Sequence, residues 1–232
     1  MKSAMYSEYA EQYDQAVQDN IYNAHFERPS LQALLPEIRG LNVLDLGCGT
    51  GVYAQYLLDQ GADAVTCIDY SEAMVDLVRS KLGEKVTAYA QDISLGLPQE
   101  ETGSYDLIIC PLVLHYLEDL NPLFQDVYRV LKPGGVMVFS MHHPLADFEY
   151  SQTGNYFDRE LVTQEWDTVG KPLEVKFYRR SLSELTDAIT SSGLVITRIS
   201  EGQVSDKVKE LSESAYNFLS RNPNFIFVRC QK

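Results

Sequence analysis

Basic residues are scarce in this chain. Its 232 residues carry 19 lysines and arginines against 33 aspartates and glutamates, a formal net charge of −14. A surface that acidic repels phosphate backbones, so nucleic acid is not expected as a partner. The one basic cluster, Lys176 to Arg180, is short. Cysteine is sparse as well. Cys48, Cys67, Cys110 and Cys230 form no C-x-x-C pair, and each sits in or just after an apolar strand-like run. They read as buried, reduced thiols rather than a disulfide framework. No apolar run approaches the roughly 18 residues of a membrane span, and Met1 to Tyr6 hold no apolar signal core. A cytoplasmic protein without a membrane partner is expected, as a monomer or homodimer. Internal repeats and low-complexity segments are absent too.

What the chain does have is alternation. Strand-like runs Leu41–Leu46, Ala64–Ile68, Lys85–Ala90, Tyr105–Cys110 and Val136–Met141 are separated by helix-like stretches, the pattern of a parallel sheet flanked by helices. Helices are expected over Thr50–Gln60, closed by Gly61, and after Ser71, where Met74, Val75, Val78 and Leu82 recur at helical spacing. Asn121-Pro122 starts another, with Leu123, Val127, Val130 and Leu131 as its apolar stripe and Lys132-Pro133-Gly134-Gly135 as its stop. Ser181 to Glu184 reads as a capping box, and Leu194–Ile199 and Asn224–Arg229 as the last strands. Two segments stand outside this alternation. Residues 1–40 are helical and tyrosine-rich, and residues 142–180 show strand-like pieces without a clear period. A single domain over 1–232 is expected, with 1–40 as a cap and 142–180 as an insertion over the ligand edge of the sheet.

Chemistry concentrates at Val43-Leu44-Asp45-Leu46-Gly47-Cys48-Gly49-Thr50-Gly51. Glycines in such a strand-to-helix turn admit positive φ and let a ligand approach the backbone, while the following helix presents free N–H groups. Ligands of open α/β sheets bind at the carboxyl ends of the strands, where Asp45, Asp69 and Asp92 are all expected to fall. A carboxylate at Asp69 suits two ribose hydroxyls; Asp92 suits the exocyclic amine of an adenine. The G-x-G-x-G spacing departs from the dinucleotide G-x-G-x-x-G, and Asp45 would repel a pyrophosphate. A nicotinamide dehydrogenase is therefore disfavoured, and a ligand with a positive centre favoured.

These residues carry a resemblance to a known family. Val43–Gly51, Ile68–Met74, Gln91-Asp92-Ile93, Tyr105–Leu117 and Arg129–Gly135 together resemble the class I S-adenosylmethionine-dependent methyltransferases of the type 11 group, over roughly residues 40–140. The resemblance implies a Rossmann-like α/β fold: a seven-stranded, mostly parallel sheet with its last strand antiparallel and helices on both faces. It implies S-adenosylmethionine as cofactor, with Gly47, Cys48 and Gly49 beside its methionine part and Asp69 on the ribose. Tyr70 and Met74 would flank the adenine, Asp92 and Ile93 would meet its edge and face, and Cys110, Pro111 and Leu112 would lie beside the sulfonium.

Methyl transfer needs alignment and exclusion of water more than any one side chain, and a base only where the acceptor must lose a proton. His115 either positions the cofactor, acts as that base, or packs beside Tyr116. His142 and His143, at another strand end, are candidate general bases, with a rigid turn at Pro144 as the alternative. These histidines and Asp147 lack metal-ligand spacing, so no metal is expected. Tyr6, Tyr9 and Tyr13 share a helix face; they pack, or Tyr13 (or Tyr22) closes over the cofactor's carboxylate. Trp166 is either an aromatic wall for the acceptor or an ordinary half-buried tryptophan. Tyr178 and Arg179 either meet an anionic acceptor or neutralise local acids. The expected function is methylation of a small-molecule acceptor; the alternative is a non-catalytic S-adenosylmethionine-binding regulatory protein.

Overall fold

The computed structural model describes residues 3–232; the first two residues of the expected 1–40 cap lie outside the described residues. The chain opens with a short turn at Ala4–Tyr6, then α1 (Ala10–Gln18), a π-helical turn over Asn23–Glu27 and α2 (Arg28–Gln32). Phe26, from the π-turn, stacks on Phe225 at 5.8 Å and meets Phe227 edge-on at 6.2 Å. The N-terminal segment therefore contributes to the main core instead of lying loosely over it.

The expected alternation follows: β1 (Asn42–Leu46), α3 (Val52–Asp59), β2 (Ala64–Asp69), α4 (Glu72–Leu82), β3 (Thr87–Ala90), β4 (Tyr105–Pro111), α5 (Asn121–Val130) and β5 (Leu131–His142). Next come α6 (Pro144–Asp147), a hairpin of β6 (Glu160–Trp166) and β7 (Leu173–Arg179), then α7 (Leu182–Ser191), β8 (Val195–Ser200), α8 (Asp206–Leu211), α9 (Glu213–Leu219) and β9 (Phe225–Gln231). Seven strands form one sheet in the order β3-β2-β1-β4-β5-β9-β8. Strands β1 to β5 are mutually parallel, and β9 runs antiparallel to both β5 and β8. Six strands thus point one way and the last points back, as the resemblance implied.

Both faces of the sheet are covered, as parallel strands require. Leu44, Leu46, Ile108 and Phe139 pack under α5 and α7, while Val43, Leu107, Ile109 and Val138 pack with residues of α2, α3 and α4 on the other face. Side chains alternate along a strand, so consecutive residues of β1 and β4 serve opposite cores. Asp45 is the exception in kind: it occupies an inward position where its neighbours are apolar, and it is 0% exposed.

Two boundaries and two helices depart from the sequence reading for local reasons. Helix α3 starts at Val52 because Gly51, at φ 83°, lies in the left-handed region and cannot continue a helix. Leu131 belongs to β5, paired with Tyr105, and not to the preceding helix; the Lys132–Gly135 run is absorbed as an irregularity in the ladder, and Leu131 is buried either way. Helices α8 and α9 had no apolar stripe to betray them, since only Val208 and Leu219 in them are buried. None of the helices is long and apolar enough to cross a membrane among the described residues.

Removing the Phe26 ring leaves a void between the N-terminal segment and β9. Phe26→Ala is expected to lower unfolding stability by about 3–5 kcal/mol in urea titrations, the usual range for a buried phenylalanine; an unchanged midpoint would show that this contact does not hold the segment.

Candidate active site

Chain order in the sheet reverses between β1 and β4. Such a reversal opens a crevice beyond the carboxyl ends of the strands. A cavity of about 1510 Å³ lies there, lined from the ends of β1, β2, β4 and β5, the N-terminal segment, the β6–β7 hairpin and the approach to β9.

At one end is the glycine turn. Gly47, Gly49 and Gly51 all have positive φ, at 69°, 53° and 83°. A Cβ on Gly47 would collide with the Val113 side chain, whereas one on Gly49 would meet nothing within 4 Å. The first glycine is a packing requirement, and the second leaves space for a ligand. The turn is tied to β2 by hydrogen bonds donated from Gly47 N (2.7 Å) and Cys48 N (3.0 Å) to the Ile68 carbonyl. The Asp69 carboxylate accepts from Gly49 N at 2.9 Å and from Ser71 N at 2.8 Å, clamping the turn to the start of α4. Burial raises its pKa, against the lowering effect of these backbone donors. A carboxylate has about four acceptor sites, so two remain for hydroxyl donors.

Asp45 has no such support. Both its carboxylate oxygens are buried without a hydrogen-bond partner, and burial, with the nearby Asp69 charge, lifts its pKa to about 8. A buried unpaired acid is costly unless it is protonated or meets a cation. Below about pH 8 Asp45 is protonated, and because it lines the cavity a cationic ligand entering there would draw it to its charged form.

Glu27 is a residue that the sequence reading missed. It is buried and lines the cavity, accepting from Ser140 Oγ at 2.6 Å and Tyr53 Oη at 3.0 Å. Burial raises its pKa to about 7. The Ser140 hydroxyl oxygen in turn accepts from Leu112 N at 3.0 Å, and Leu112 is the one non-glycine residue with positive φ among the described residues, at 54°. Strained backbone of this kind persists only where its surroundings hold it. No spacing in residues 20–30 marks Glu27, because its partners come from α3 and β5.

Opposite the glycine turn, rings converge. His115, 1% exposed, stacks on His142 at 3.9 Å and 12°, and His142 has Phe177 edge-on at 4.7 Å and Trp166 at 5.6 Å. Burial, then His142 and Arg180, hold His115 well below the usual histidine range, so it stays neutral. His142 Nδ1 lies 3.4 Å from Asp147 Oδ1. Trp166 and Tyr178 also line the cavity, and the Tyr178 hydroxyl donates to Glu118 at 3.1 Å.

Of the other expected positions, Tyr13, Cys48, Tyr70, Met74, Asp92, Ile93 and Pro111 line the cavity. Asp92 also caps the next turn, accepting from Ser94 N at 3.0 Å. Tyr6, beside Tyr13, bonds Tyr116 at 2.7 Å between hydroxyls, and both line the cavity; the expected shared helix face does not form, because Tyr6 ends a separate turn and α1 begins only after Tyr9, whose ring lies under Lys171. Three further expectations need correction. Cys110 is in the core beneath the sheet, because strand alternation turns Pro111 to the cavity and Cys110 away from it. His143 caps α6 instead of facing the cavity: its Nδ1 accepts from Leu145 N at 3.1 Å and its Nε2 pairs with Glu201 at 3.2 Å. Arg179 is buried within its own loop, paired with Glu160 and donating to Ser151 Oγ and Asn155 O, so it meets no acceptor.

A family model described as a methyltransferase domain matches residues 44–139. A crystal structure of an S-adenosylmethionine-dependent methyltransferase from Mesorhizobium loti superposes with a TM-score of 0.71 at 29% identity, over 89% of this chain and 97% of that one. The domain over residues 44–139 is that of the class I S-adenosylmethionine-dependent methyltransferases, type 11 group. It is similar to the ubiquinone biosynthesis O-methyltransferase of Bordetella avium, 34% identical over 47% of this chain and 46% of that protein. It is also similar to the demethylmenaquinone methyltransferase of Lactococcus lactis, 29% identical over 66% of this chain and 63% of that protein. The chain thus matches less than two thirds of either curated relative. The family's cofactor fits this site: S-adenosylmethionine is cationic, and Asp45 is an orphaned carboxylate beside an open glycine turn.

The Asp45 pKa sets a pH dependence. A carboxyl raised from 3.8 to about 8 binds more protons folded than unfolded, so its contribution to stability falls as pH rises through that window. Asp45→Asn is therefore expected to gain in Tm relative to wild type as pH rises from about 5 to about 8, in calorimetric scans of the ligand-free protein; a constant difference would refute the assignment.

Proposed function

We propose that this protein transfers the methyl group of S-adenosylmethionine to a small-molecule acceptor. The observation that carries this reading is the size and division of the cavity. Sites for one drug-sized ligand occupy about 300–1,000 Å³. The cavity here, at about 1510 Å³, exceeds that range, with carboxylates and glycines at one end and aromatic rings at the other. A regulatory protein that only binds the cofactor has no need of the second chamber.

Within this reading, Asp45 offers its charge to the cofactor's positive end and Asp69 its free lone pairs to the ribose hydroxyls. Tyr70, Met74, Asp92 and Ile93 frame the adenine, while Gly47, Cys48, Gly49, Pro111 and Leu112 lie along the methionine part. Bound there, S-adenosylmethionine supplies an electrophilic methyl group. The chain aligns and shields the reactants: residues 3–40 form a cap and 142–180 an insertion around the acceptor end. His142 takes a proton from an acceptor that must lose one. His115, neutral and stacked against it, fixes the ring's plane. The relatives that carry quinone-biosynthesis names support a small, ring-bearing acceptor.

Isothermal calorimetry is expected to show binding of S-adenosylmethionine and of its demethylated product, weakened roughly 10- to 150-fold in Asp69→Ala, the equivalent of about 1.5–3 kcal/mol for hydrogen bonds to a charged group. Labelled cofactor incubated with a metabolite extract is expected to yield labelled small molecule. Binding without any labelled product would favour the regulatory reading, and no binding would overturn both.

A further inference from the structure

The acceptor end of the cavity is acidic and aromatic at once, and the basic residues nearest to it in sequence are committed elsewhere. Among the described residues lining the cavity no lysine occurs, and Arg28 is the one arginine, its guanidinium donating to the Val17 carbonyl at 2.9 Å. Arg159 binds the Glu118 carbonyl and lies 3.5 Å from Glu184; Lys176 pairs with Glu174 at 2.8 Å. Arg179 is held by Glu160; Arg180 donates to the Leu117 carbonyl and lies 3.5 Å from Glu184, with its Nε and Nη1 unpartnered, and neither arginine lines the cavity. The cluster that could have met an anion therefore serves as internal scaffolding. The lining of this end instead includes Glu118, Asp147 and Glu149. A carboxylate, phosphate or phenolate acceptor would enter against these charges with no counter-ion.

The rings supply a second, independent sign. Trp166, Phe177 and Tyr150 form a connected wall, with centroids 6.1 Å and 6.5 Å apart across Phe177. Rings with carboxylates at their edge are the recognised surroundings of an ammonium ion. In the same wall His115, almost completely buried, has an Nδ1 with no protein partner. It offers one uncharged polar contact and no positive charge.

Building on the methyltransferase reading, we propose that the acceptor is an amine carried on an aromatic or apolar body, bound as its ammonium form. The ammonium gives a proton to the His142 imidazole, and the proton leaves to solvent through the open mouth of the cavity. The freed nitrogen lone pair forms the N–C bond as the methyl carbon's bond to sulfur breaks, its electron pair staying on sulfur. The methylated nitrogen now carries the positive charge, facing the same carboxylates.

Trp166 is the single tryptophan of the chain, so intrinsic fluorescence reads this chamber directly. The wild-type protein, saturated with S-adenosylhomocysteine, is titrated with three isosteric probes: phenethylamine, phenylacetate and 2-phenylethanol. Phenethylamine is expected to bind at least tenfold more tightly than either partner. Glu118→Gln and Glu149→Gln are each expected to cut that preference at least threefold, while S-adenosylhomocysteine affinity, read by calorimetry, stays the same. Equal or tighter binding of the acid or the alcohol overturns the proposal, as does no response to any probe. Either result with intact S-adenosylhomocysteine binding leaves the methyltransferase reading standing; failure of S-adenosylhomocysteine itself to bind removes that reading instead.

Discussion

A carboxylate buried without a partner inside a parallel strand organises much of this protein. Asp45 sits in β1 between Leu44 and Leu46, covered on all sides, with neither oxygen bonded. Every local rule of strand design asks for an apolar residue there, and such violations concentrate at functional sites. The rest of the cofactor end can be understood as arranged around that charge. Gly47 lets the chain turn sharply past Val113, and Asp69 clamps the turn to α4. The strand is consequently poised for a cation and ill-suited to a pyrophosphate.

The N-terminal segment completes this arrangement through a second buried acid. Glu27 links α3 through Tyr53 and β5 through Ser140, and the same serine holds the strained Leu112 backbone at the end of β4. Three elements distant in sequence thus share one hydrogen-bonded junction beside the cavity. Phe26, its neighbour, anchors the segment in the core against Phe225 and Phe227. Position and packing are inseparable here: the residue that holds the segment down precedes the one that faces the site.

Much of the sheet was legible because parallel strands buried on both faces write continuous apolar runs, and because glycine, proline and serine punctuate the helices between them. Gly51 marked the start of α3 to within two residues, and Ser71 capped α4 as expected, accepting from Met74 N at 3.4 Å. Leu131 was misassigned since burial alone does not distinguish the last turn of a helix from the first residue of a strand. Helices α8 and α9 went unread because they bury too little to leave a period. Among site residues, Cys110 was misplaced by one step of strand alternation, and His143 and Arg179 by partners, Glu201 and Glu160, that sequence distance concealed.

Most of the glycine-turn end of the cavity was legible in sequence alone. Its residues lie in strand–turn–helix units, where glycine spacing and strand ends dictate local geometry and each acid's place follows from the chain preceding it. The aromatic end of the cavity and the Glu27 junction were decided only by tertiary structure. The stacked pair of His115 and His142, the ring wall from the β6–β7 hairpin and the junction at Glu27 join segments separated by tens of residues. Charge there is set by which ion pairs the folded chain completes, and pairing across such distances leaves no period in the sequence to read.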